Sequence, residues 1–141
     1  MIDPIVRPAN SADRDEVGRL EAAARADVST RRGGRRWIET HAAHGGNPAG
    51  SMWVGTIDDV VVAYLVLEIV DDVAKVTDVY VDPGAREVGF GDELLAAALA
   101  AARSAGASVL EAEALPGDRD TKNLYERAGI TARLITVSTA L

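Results

Sequence analysis

A change of hydrophobic period at Asp82-Pro83-Gly84 restricts this fold more than any other feature of the chain. Before it, Met52 to Val81 is rich in β-branched and aromatic residues and is interrupted twice by acidic pairs, Asp58-Asp59 and Asp71-Asp72, where hairpin turns would fall. That pattern predicts an antiparallel meander of three strands. After it, Leu94, Leu95, Ala98, Leu99 and Ala102 recur at the spacing of a helix with one buried stripe. Gly106 suits the C-terminal cap of that helix, and Val109 to Leu115 reads as a returning strand. Strand, helix and strand in this order make a βαβ crossover, which closes with a parallel pairing. The expected fold class is therefore α/β (α+β): a mixed sheet with an antiparallel N-terminal meander and one parallel crossover.

The flanks supply the remaining elements. Ile5 to Arg7 reads as a short strand, and Pro8-Ala9-Asn10-Ser11 as a turn and N-cap with Asp13, Asp15 and Glu16 in the first helical turn. Val17, Leu20, Ala24 and Val28 then give one apolar helix face, and a shorter helix carries Trp37 and Ile38. His41 to Gly50, rich in Gly, Ala, Asn and Pro, is expected to be a mobile loop. Asp118 to Ala128 is expected to be a last helix closed by Gly129, and Thr131 to Thr139 a last strand, which makes about four helices in all. With 141 residues, 48% of them apolar, the chain can bury one hydrophobic core, so a single domain over 1–141 is expected.

Composition narrows the function classes. No apolar run approaches the roughly 20 residues that cross a bilayer, and Met1-Ile2-Asp3-Pro4 lacks the basic and apolar regions of a signal peptide. A cytoplasmic protein with no membrane partner is expected. Cysteine is absent and the two histidines, His41 and His44, sit in a Gly-rich stretch, so no metal site is expected. A net charge of −7 disfavours nucleic acid, whose backbone is bound through clustered cations. The run Arg31, Arg32, Arg35, Arg36 reads as a solvated helix face, and the acidic surface favours a cationic acceptor such as an amine.

The strand-to-helix loop Arg86-Glu87-Val88-Gly89-Phe90-Gly91-Asp92 stands where chemistry is expected. Glycine lets backbone approach a ligand, and the first turn of a helix offers unpaired N–H groups to an anion such as a pyrophosphate. Two glycines one residue apart are equally consistent with a plain tight turn. A dinucleotide-binding fingerprint is excluded, because that motif follows the first strand of a parallel sheet and this loop follows an antiparallel meander.

The segment Val79-Tyr80-Val81-Asp82-Pro83-Gly84-Ala85-Arg86-Glu87-Val88-Gly89-Phe90-Gly91-Asp92-Glu93-Leu94-Leu95 resembles the acetyl-CoA signature of the GNAT superfamily of N-acetyltransferases, with its Q/R-x-x-G-x-G/A core. Leu124-Tyr125-Glu126-Arg127-Ala128-Gly129-Ile130 resembles that superfamily's second motif, L-Y-E-x-x-G-F. The resemblance implies a GNAT-like fold and transfer of the acetyl group of acetyl-CoA, the cosubstrate, to a primary amine by direct attack in a ternary complex. It implies that backbone N–H groups of Val88, Gly89, Phe90, Gly91 and Asp92 hold the pyrophosphate, with Arg86 opening the loop. Val81 would pair its backbone with the pantetheine arm, and Tyr125 would protonate the departing thiolate.

Direct transfer also requires a base for the acceptor's ammonium. Asp78 is the first choice, with Glu68, Glu111 and Glu113 as alternatives, and His41 and His44 could line the acceptor site. The chain departs from the family in three places. Asp118 stands where an asparagine is common, Asp92 lies beside the expected pyrophosphate, and the last strand ends without a further hairpin strand. Thr131 to Leu141 would then leave an exposed edge for a second copy to cover, so a homodimer is expected. The alternative function is a non-catalytic, acyl-CoA-binding regulatory domain.

Overall fold

A computed structural model describes residues 4–141; Met1-Ile2-Asp3, part of the start read above for targeting signals, lies outside it. Five strands, β1 (Ile5–Pro8), β2 (Ser51–Ile57), β3 (Val60–Val70), β4 (Val73–Val81) and β5 (Val109–Ala112), form one sheet in the order β1-β2-β3-β4-β5. The first three pairings are antiparallel and β4 with β5 is parallel. Among the described residues four α-helices complete it: α1 (Arg14–Val28), α2 (Gly34–Thr40), α3 (Phe90–Ser104) and α4 (Arg119–Arg127). The mixed α/β fold expected from the sequence is the one found. Among the described residues no helix is long and apolar enough to cross a membrane.

Both acidic pairs are the tight turns that the alternation requires. Asp58 and Asp59 both adopt positive φ, +50° and +65°, which matches a two-residue turn to the twist of β2 and β3. Alternation then sorts side chains onto two faces. Val54, Tyr64 and Val66 pack with Val17 of α1 in one cluster. Leu65, Leu67, Ala74 and Val76 pack with Phe90, Leu94, Leu95 and Ala98 of α3 and with Leu124 and Tyr125 of α4 in the other. Gly55 makes the second cluster possible, because a Cβ there would lie 2.5 Å from the Phe90 ring.

The helical start carries the expected cap: the Asn10 side chain accepts the Ala12 amide, and Asp13, Asp15 and Glu16 occupy the first turns. Asp13 is also buried; it accepts the Asn10 amide at 2.8 Å and both terminal guanidinium nitrogens of Arg7 at 2.8 and 2.9 Å, so it fastens β1 to the helix. That pairing raises the Arg7 pKa and lowers that of Asp13 below the usual carboxylate range.

The returning strand ends at Ala112 rather than Leu115. It pairs with β4 only from Val73 to Val76, because beyond Val76 the register breaks. Val66 pairs with Asp78 and Leu67 with Val76, so Thr77 is an extra residue that bulges out of β4. The strand expected at Thr131 to Thr139 is absent: these residues are exposed and belong to no strand. Their β-branched side chains suit a ladder, but propensity supplies no partner, and a strand exists only when paired.

Candidate active site

The bulge at Thr77 opens the sheet. Asp78 to Val81 keep their β3 partners but have none on the β5 side, which leaves a split between the two strands. A cavity of ≈170 Å³ lies there, lined by Thr77, Asp78 and Val79 of β4, Glu113 and Asp118 beyond β5, Tyr125 of α4, and Trp37 and His41 from the α2 end. Trp37 and His41 stack with ring centroids 4.4 Å apart and form an aromatic wall. A larger opening of ≈350 Å³ between α3 and α4 is lined by Leu95, Ala96, Leu99 and Ala128 with Asp92 and Arg127, and lies away from these groups.

Next to the split, the loop after β4 turns through left-handed backbone into α3. Glu87 and Gly89 both take left-handed backbone, φ +68° and +97°. Among the described residues none of the amides from Arg86 to Asp92 finds a backbone acceptor; the first helical bond is from Glu93 to the Gly89 carbonyl, 3.0 Å. A helix start of this kind carries partial positive charge. Gly91 also lets α4 approach, since a Cβ there would sit 3.2 Å from Leu124. Asp92 turns away from the loop to Arg127, 3.0 Å, so its carboxylate is neutralised by a neighbour. Arg86 folds back instead: its Nε donates to the Val81 carbonyl at 3.0 Å and its guanidinium lies 5.6 Å from the Tyr80 ring centroid.

A family model described as the Acetyltransferase (GNAT) family matches residues 16–130. The chain belongs to the GNAT acetyltransferase family. Solved structures with the same fold include the aminoglycoside N-acetyltransferase AAC(6')-Iy in complex with CoA, 18% identical, covering 97% of this chain and 100% of that one, TM-score 0.70. A ribosomal-protein-alanine N-acetyltransferase from Brucella melitensis biovar Abortus 2308 is 17% identical, covers 99% and 98%, and has a TM-score of 0.72. A transcriptional regulator from Bacillus halodurans C-125 is 15% identical, covers 98% and 99%, and has a TM-score of 0.69. At these identities the likeness is one of fold. A search of curated proteins finds no match to the chain.

In this GNAT domain Asp78 and Tyr125 line the same cavity, while Val81, Arg86 and the Val88 to Asp92 segment adjoin it along the chain. Tyr125 is 7% exposed and lines the cavity from α4. Burial, then the carboxylates of Asp118, Asp78 and Glu113, push its pKa well above the ordinary phenol value, so it stays protonated. Of the alternative bases, Glu113 lines the cavity but is held by Lys75 at 2.6 Å, and neither Glu68 nor Glu111 reaches it. Asp118 caps α4: it accepts from the Thr121 amide at 3.2 Å and from the Thr121 hydroxyl at 2.7 Å.

The loop expected to be mobile is fastened. Buried Glu21 of α1 accepts the amides of His44 and Gly45, both at 2.8 Å, and Gly46 packs so closely that a Cβ would fall 2.0 Å from the Arg14 carbonyl. Sequence reasoning missed Glu21 and Tyr64. Tyr64 is fully buried on β3 and donates to Asp78 Oδ2 at 2.7 Å; burial first, then the Asp78 charge, drives its pKa far upward. Glu21, His44 and Asp78 place ligand-type atoms within 4.8 Å of one another. A metal does not suit them. The Gly46 amide donates to His44 Nδ1 at 3.0 Å, whereas an imidazole that binds a metal through Nε2 carries its proton on Nδ1.

Proposed function

We propose that residues 1–141 act as one N-acetyltransferase domain, working in the cytoplasm as a homodimer, that moves the acetyl group of acetyl-CoA to a primary amine by direct attack in a ternary complex. One observation carries the reading: a buried phenol that keeps its proton and a carboxylate line a single cavity at a split in the sheet, beside a helix start whose amides lack acceptors. AAC(6')-Iy, of the same fold, was solved with CoA, and the family is one of acetyltransferases.

Each group then has a task. The amides from Val88 to Asp92 would hold the cosubstrate's pyrophosphate, and Arg86 would leave the Val81 carbonyl to meet the same anion, freeing that carbonyl for the pantetheine arm. Asp78 takes a proton from the acceptor's ammonium, so that a neutral amine faces the thioester. As nitrogen bonds to the acetyl carbon and the C–S bond breaks, Tyr125 gives its proton to the thiolate, and the proton that the new amide nitrogen sheds restores the phenol. The carboxylates of Asp78, Glu113 and Asp118 against one lysine favour a cationic acceptor, and the Trp37–His41 stack offers it a flat apolar wall.

The test is thiol release from acetyl-CoA over a panel of amines. Tyr125→Phe and Asp78→Asn should each lower kcat about a hundredfold while calorimetric affinity for acetyl-CoA stays within about twofold. Binding without turnover by the wild-type protein would favour the regulatory alternative.

A further inference from the structure

Resting on the acetyltransferase reading, we propose that His44 is a positioning residue that joins the base Asp78 and the acceptor-side turn 44–46 into one unit. Its two ring nitrogens have separate assignments. Nδ1 accepts the Gly46 amide at 3.0 Å, so the neutral ring carries its proton on Nε2. Nε2 then donates to Asp78 Oδ2 at 2.9 Å and lies 3.1 Å from Glu21 Oε2. Glu21, buried on α1, holds the backbone of the same turn through the His44 and Gly45 amides.

On Asp78 both internal donors fall on one oxygen. Tyr64 and His44 reach Oδ2 from β3 and from the loop, and the two rings meet edge to face with centroids 5.8 Å apart. Oδ1 has no internal donor among the described residues, and Asp78 lines the cavity. Two fixed donors on one oxygen orient the carboxylate plane and leave the other oxygen for an ammonium. A proton relay through His44 fails on the same geometry, because Nε2 already carries a hydrogen and Nδ1 is taken by Gly46. Holding Asp78, not accepting its proton, is the work this ring can do.

The two halves of the ring can be tested separately. Asparagine places an acceptor near Nδ1 but cannot reach Asp78; glutamine places a donor near Nε2 but leaves Gly46 without its acceptor. On the best amine of the panel, His44→Asn should lower kcat about tenfold to a hundredfold, the scale of a misplaced reacting group, with the KM for acetyl-CoA within about twofold. His44→Gln should recover most of kcat. Amide exchange should show the reverse order, with Gly46 protected in His44→Asn and exchanging about tenfold faster or more in His44→Gln. An unchanged kcat in His44→Asn, or equal losses in both variants, overturns the proposal. If the wild-type protein binds acetyl-CoA but acetylates nothing, the enzymatic reading fails and base positioning falls with it. The exchange arm then decides the fastening of the turn, and unchanged Gly46 exchange in His44→Gln overturns that as well.

Discussion

Burial changes what a tyrosine can do, and all three tyrosines of this chain are affected. Tyr64 and Tyr125 lie in the two cores facing carboxylates, and Tyr80 is pushed the same way by burial, with Arg86 partly opposing it. Each folded-state pKa is raised above the unfolded value near 10. The stability these groups contribute is therefore fully present below about pH 10 and is lost as pH climbs through the folded-state values. A spectrophotometric titration should find less phenolate in the folded protein at about pH 10 than in the unfolded chain, then a rise that coincides with loss of far-UV dichroism. Three phenols titrating near pH 10 in a folded protein would contradict the burial argument. At this scale the sequence was partly legible. Tyr125 could be singled out because the second motif lies in one stretch of helix. The partners of Asp78 could not, since Tyr64 meets it through the register of β3 on β4 and His44 through a loop docked on α1.

The start of α3 depends on Gly89, whose φ of +97° any side chain would strain. The Gly89 Cβ position is open enough, 3.7 Å from Pro4, so Gly89→Ala should keep the fold and act on the backbone alone. We expect a loss of about 1–2 kcal/mol in stability, and calorimetry should find acetyl-CoA binding weakened about tenfold or more with kcat at saturation little changed. Unaltered affinity would mean that the loop amides do not meet the cosubstrate. Elements whose signal is internal were legible: the meander announced itself by alternation and α3 by its apolar stripe. Elements whose existence depends on a neighbour were not. Val109 to Leu115 reads as one strand, yet only Val109 to Ala112 has a partner, because the Thr77 bulge turns β4 away.

The same dependence on partners bears on the whole molecule. The segment expected as a last strand carries Leu134, Ile135 and Val137 at 88, 81 and 88% exposure, and among the described residues β5 has no neighbour beyond β4. An apolar, β-branched segment and an unpaired strand edge on one molecule are complementary, and a second copy related by a two-fold axis would satisfy both sets at once. Each side chain so covered contributes about 1.5–3 kcal/mol, counted twice in a symmetric pair. Light scattering at micromolar concentration should therefore give twice the chain mass, and deletion of residues 132–141 should give a monomer. Because a dimer is favoured by mass action, the melting temperature of the full chain should rise with protein concentration while that of the shortened chain stays constant. A full-length monomer whose melting temperature ignores concentration would leave the 131–141 segment without a self-partner and remove the homodimer from the proposal.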